Sequence, residues 1–177
     1  MTINAFDTDT ELSSVNSILG AIGQSPVTSL DFTNPEISFI YNILEEVNTD
    51  VQNEGWVWNR ECHYPLSPDS DQEIKFPANV LRLDIYENSI YRETNVVRRD
   101  GKLYDKARHS YKFDKPIEAD VVWKVPYEDL PVAFKRYITY RSSVRAATQL
   151  ISNPNLVQIL AQQEAYTRAI CMEYECN

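Results

Sequence analysis

The sequence predicts an α+β protein: a four-helix up-and-down bundle built from residues 1–55 and 126–177, with a small antiparallel β-domain inserted at 56–125. Three observations predict it. Apolar residues recur every three or four positions before Gly55 and again after Pro126, the spacing of a helix that buries one face. Between them lie short segments rich in β-branched and aromatic residues, separated by turn formers, the mark of small antiparallel strands. The change of period falls at one stretch, "NEGWVWNRE", residues 53–61. Helices on both sides of an insertion can close one bundle only if the insertion's ends lie close together.

The first helix is expected to open on a capping box, Thr8-Asp9-Thr10-Glu11, in which hydroxyl and carboxylate satisfy each other's backbone donors. Leu12, Val15, Leu19 and Ile22 follow at helical spacing, and Gly23 supplies a left-handed stop. "QSPVTSLDFT" reads as a loop. Asn34-Pro35 opens the second helix, Asn as cap and Pro at the first position, where its missing N–H costs nothing. Its apolar stripe is Ile37, Ile40, Tyr41, Leu44, Val47 and Val51, and Gly55 ends it.

From Trp56 the pattern reads as extended, with Trp56 and Trp58 on one face. Gly55, Trp56 and Trp58 are therefore the candidate junction of bundle and sheet, a plain core role for the two tryptophans being the equal alternative. "EIKF", "VLRLDIY", "NVVRR", "KLYD" and "IEADVVWKV" supply about five strands of one sheet, and Asp100-Gly101 is a strong hairpin signal. Asp129 or its neighbours cap the third helix, with Pro131 near its start and Phe134, Tyr137, Ile138, Arg141, Val144, Thr148 and Ile151 along it. Asn153-Pro154 repeats the Asn-Pro device. Leu156, Ile159, Leu160, Gln163, Tyr166, Ile170 and Tyr174 mark a final helix with a mixed face.

Composition narrows the function. No apolar run approaches the ~20 residues that span a bilayer, and the acidic N-terminus lacks a signal peptide's order, so synthesis in the cytoplasm is expected. Cys62, Cys171 and Cys176 have no CxxC spacing and read as reduced thiols; with only His63 and His109 to help, no metal site is expected. Four scattered glycines exclude a phosphate loop, and the serines lack a nucleophile elbow. No catalytic residue and no cofactor is assigned. Two readings from other classes stay open. Pairs such as Glu45-Glu46 and Glu128-Asp129 would serve a glycan hydrolase only across a cleft. The basic, tyrosine-bearing stretch "RRDGKLYDKARHSYKF" could track a nucleic acid, although Asp100, Asp105 and Asp114 interrupt it.

The net charge of −9 is unevenly spread: residues 1–91 hold 15 acids and 3 bases, residues 92–145 hold 8 acids and 13 bases. Opposite charge in one chain suits self-association or a charged partner, and equally a merely solvated basic face, while a count of 11 tyrosines favours an assembly protein over an enzyme.

Four stretches carry a resemblance. "ELSSVNSILGAIGQSPVTSL", "NEGWVWN", "VPYEDLPVAFKRYITYRSSVRAATQL" and "AICMEYE" resemble, in this order and through essentially the whole chain, the tail tubular protein A family of short-tailed bacteriophages. The resemblance implies a virion protein, the head-to-tail adaptor or gatekeeper. Members form a twelve-fold ring between the portal protein and the nozzle protein (tail tubular protein B), with tail fibres attached near that level. The ring lines the channel through which double-stranded DNA passes without specific binding, and no membrane, cofactor or catalysis is involved. A ring needs heterologous contacts, one face of each subunit meeting a different face of the next. The acid-rich helices of residues 1–54 and the basic segment 92–115 are the candidate complementary faces. Arg98, Arg99, Lys102, Tyr104, Arg108 and Tyr111 are the candidate subunit, nozzle or fibre contacts. Tyr166, Met172 and Tyr174 are assigned to the portal side by resemblance.

Overall fold

The computed structural model describes residues 9–85 and 96–176. Among these residues the chain is mixed α and β, with four helices and two small antiparallel sheets. It divides into two compact units, Met1–Val51 with Val125–Asn177, and Gln52–Lys124.

The first unit is helical. Helix α1 (Glu11–Ala21) opens two residues later than the capping box would place it. Thr10 is the cap, its Oγ1 accepting from the Ser13 N–H at 3.2 Å, while Thr8 lies outside the described residues. Glu11 is then the first helical residue, too early to reach back as a capping-box partner. The C-terminal end is a Schellman motif: Gly23 sits at φ 80°, its N–H bonds the Gly20 carbonyl, and the Gln24 N–H bonds the Leu19 carbonyl at 2.8 Å. Helix α2 (Pro35–Asn53) is capped by Asn34, whose Oδ1 accepts from the Glu36 N–H at 3.0 Å. Ile37, Ile40, Leu44, Val47 and Val51 are buried along it, joined by Ile43, Asn48 and Gln52.

A single 3-10 turn, Tyr127–Asp129, precedes helix α3 (Val132–Leu150). Asp129 belongs to that turn and does not cap the helix; Pro131 does, without a side-chain bond, because its fixed φ suits the entry and it has no N–H to satisfy. Buried Tyr127 ties the turn inward, its hydroxyl 2.8 Å from Ser14 Oγ and donating to the Lys135 carbonyl. The buried side of α3 is not the stripe of large residues that spacing suggests. Beyond Phe134, Tyr137 and Ile138 it consists of Lys135, Ser142, Ser143, Ala146 and Ala147, whereas Arg141, Val144, Thr148 and Ile151 stay partly or wholly exposed. Small side chains suit a helix that packs against both α1 and α4 (Pro154–Cys176). Arg145 of α3 reaches α2, pairing with Glu46 at 2.7 Å.

The second unit carries β1 (Arg60–Leu66), β2 (Val80–Ile85), β3 (Val96–Arg99), β4 (Lys102–Asp105) and β5 (Ile117–Trp123). They form two sheets, not one: a three-stranded sheet ordered β1-β5-β2, all antiparallel, and the separate hairpin β3-β4. Asp100 and Gly101 both take positive φ, 53° and 72°, the turn whose twist matches the flanking strands, and Arg99 pairs Lys102 across it. "EIKF" is not a strand of the sheet. It lies along β4 through isolated contacts, the Leu103 N–H bonding the Ile74 carbonyl and the Phe76 N–H bonding the Gly101 carbonyl, each at 2.9 Å. Leu66, Ile74, Val80, Leu103, Phe113, Ile117, Ala119 and Val121 make this unit's core.

The tryptophan stretch is also not extended. Residues 57–59 form a turn, closed by Asn59 and Arg60 N–H groups on the Trp56 carbonyl. Trp56 is buried, Trp58 half-buried and Val57 exposed, so the two rings do not share an extended face.

Candidate functional site

Three surfaces hold the residues singled out by sequence. The hairpin and the loop after it bring together Arg98, Arg99, Lys102, Tyr104, Arg108 and Tyr111. The Arg99 guanidinium lies 4.1 Å over the Tyr104 ring, and Arg98 lies 4.8 Å over Phe76. Tyr104 and Tyr111 meet edge to face at 4.8 Å, and the Tyr111 hydroxyl donates to Asp100 at 2.7 Å, which raises its pKa. Lys102 is paired with Glu73, and that hydrogen bond holds its ammonium charged above the usual range. Arg108 lies 3.8 Å from the carboxylate of buried Asp105, which also accepts the Ala107 and Arg108 N–H groups and fixes the loop.

Arg98 and Arg99 differ from Lys102 in one respect. Their guanidinium carbons lie over ring faces, and no carboxylate lies within ion-pair distance of either among the described residues. A stacked guanidinium keeps its in-plane N–H donors for a planar carboxylate from elsewhere. Sequence spacing missed Phe76 and Glu73, because the topology, not the hairpin, places them there.

Helix α4 is the second surface. Its buried positions are Leu160, Thr167 and Cys171. Its larger apolar residues stay open to solvent: Ile159, Tyr166, Ile170, Met172 and Tyr174 are 36–65% exposed. Tyr174 keeps one internal contact, edge-on to Phe134 at 5.7 Å. The candidates Tyr166, Met172 and Tyr174 thus share one outward apolar helix. Beside it a cleft of about 500 Å³ opens between α1, α3 and α4, walled by hydroxyl side chains with Tyr140, Tyr166 and the Asp9–Arg136 pair at 3.8 Å. Its lining holds a single carboxylate, Asp9, where glycoside hydrolysis requires two.

The third surface is the Trp56 turn. Gly55, at φ 82°, follows α2 and has no room for a side chain, since a Cβ there would meet Arg82 Nη2 and Val122 Cγ2 at 3.0 Å. Asn59 locks the turn. Its Oδ1 accepts from the Trp56 N–H at 2.8 Å, and its Nδ2 donates to the Gln52 and Trp123 carbonyls at 2.8 and 2.9 Å.

All three cysteines are free thiols, and among the described residues no group of three His, Cys, Asp or Glu is placed to hold a metal ion. No described helix is long and apolar enough to cross a membrane.

A family described as "Tail tubular protein" matches residues 12–177, nearly the whole chain. The class this family defines is a structural protein of a bacteriophage tail. The chain belongs to the tail tubular protein family and is a component of the virion tail. It is similar to tail tubular protein A of Klebsiella phage KP34, 26% identical over 168 residues that span 94% of this chain and 88% of that protein.

Proposed function

We propose that this chain is the head-to-tail adaptor of its phage, a ring-forming subunit, twelve copies to the ring, seated between portal and nozzle proteins and surrounding the path of the exiting DNA. The four helices form its up-and-down bundle, and Gly55, Trp56 and Trp58 mark the passage into the β-domain. The observation that carries this reading is the pair of surfaces left unsatisfied by the fold. Arg98 and Arg99 lie over rings with no carboxylate within ion-pair distance among the described residues, and α4 exposes large apolar residues. An apolar, aromatic surface belongs at a protein contact. The hairpin serves the neighbouring subunit, nozzle or fibre, and Tyr166, Met172 and Tyr174 face the portal. Acidic channel walls would let phosphates pass without being held.

Negative-stain microscopy of the purified chain, alone and mixed with portal protein, tests this. Rings of uniform diameter that dock on the portal are expected. A chain that stays monomeric both alone and with portal protein present would refute it.

A further inference from the structure

The acid-rich half of the chain contains a feature that the charge count alone does not show. Residues 1–59 hold nine acidic residues and no Lys, Arg or His. In this region Phe32 is 54% exposed and packs edge-on to Tyr41 at 4.9 Å. The Tyr41 hydroxyl donates to Glu11 Oε2 at 3.3 Å. Burial, and then the charges of Glu11 and Glu45, push the Tyr41 hydroxyl up to about 12. Asp31, beside Phe32, turns one carboxylate oxygen to the Thr33 N–H and hydroxyl, and among the described residues no cation lies within ion-pair distance of it.

The patch is therefore an exposed ring, Phe32, packed on the half-buried Tyr41 and rimmed by acids. Its chemical complement is a flat cation beside a ring, with donors in the plane: a description that fits Arg98 and Arg99. We propose that the Phe32–Tyr41 pair with Glu11, Asp31 and Glu45 is the socket that receives the Arg98–Arg99 hairpin of a second copy of this chain. The inference rests on the ring reading and assigns its subunit contact. Socket and plug are different surfaces of one chain, so each copy offers both, the condition for a heterologous, ring-closing contact. Charge complementarity selects a second copy over a neutral partner.

Two measurements on the full chain test it. A benzophenone amino acid placed at Phe32, which is exposed enough to accept it, should on illumination cross-link to residues 97–105 of a second copy, read by mass spectrometry. In sedimentation, R98E/R99E and D31K/E45K should each weaken self-association about tenfold or more. Their equimolar mixture should restore it, because the unaltered hairpin of one variant meets the unaltered socket of the other. Cross-links to another segment of a second copy, or no restoration on mixing, would overturn the socket and leave the ring standing. A wild-type chain that remains monomeric at every concentration, with no intermolecular cross-link, would overturn both.

Discussion

Asn59 donates to the Trp123 carbonyl at 2.9 Å across 64 positions of chain, joining the turn after α2 to the end of the central strand β5. The same side chain bonds the Trp56 N–H and the Gln52 carbonyl, so three backbone groups depend on one buried amide. Replacing it with alanine strands them without water. Asn59→Ala is expected to cost about 2–4 kcal/mol, read as a lower urea midpoint at unchanged slope. A loss under 0.5 kcal/mol would show that the turn holds itself.

The glycines separate in the opposite sense. Gly55→Ala places a side chain at φ 82° and against Arg82 and Val122, so a loss of about 1–3 kcal/mol is expected. Gly20 lies within α1 with open space where a Cβ would go. Gly20→Ala should stabilise by about 0.5–1 kcal/mol through helix propensity alone. Thermal melts of the two variants check both signs.

The alkaline limb of stability should report Tyr41. Its folded pKa, about 12, exceeds the unfolded value near 10, because burial and the Glu11 and Glu45 charges disfavour the phenolate. A raised pKa means the folded state holds the proton more tightly. That contribution is complete below pH 10 and is lost as pH rises from about 10 to about 12. Tyr41→Phe should lose less stability across that window than wild type. Equal slopes would place the ring away from those carboxylates.

At the acid end Asp120 works in reverse. Its hydrogen bond with Arg60 at 2.8 Å, and the His63 N–H, hold its carboxyl below the usual range. A depressed folded pKa stabilises above the unfolded value near 3.9, and the benefit fades as pH falls through the folded one. Asp120→Asn should therefore flatten the decline in stability below pH 4. An unchanged acid limb would mean that the pair adds nothing in solution.

Helix α4 gives a contrast between stability and assembly. Phe134, fully buried, should cost about 3–5 kcal/mol on truncation to alanine. Tyr166→Ala and Met172→Ala, on exposed positions, should stay within about 0.5 kcal/mol in denaturation. Under the proposed function those two variants lose portal docking while keeping the fold. Docking that survives both would move the portal contact elsewhere.

Local chemistry made much of this molecule readable in advance. Helical spacing located all four helices, and Asn34-Pro35, Gly23 and Asp100-Gly101 act where their backbone preferences put them. Such signals are legible because they depend on residues at most five apart in the chain. The outward face of α4 was not, because Ile159, Tyr166 and Ile170 have the spacing of a core stripe and only the position of α3 decides which side is covered. Two sheets in place of one, Phe76 beneath Arg98 and Asn59 bonded to Trp123 are likewise contacts between distant segments. Sequence by itself determined the elements, their order and the uneven charge. Tertiary packing decided which equally apolar faces were buried and which cations were left to face outward, because burial is a property of neighbours and not of the residue.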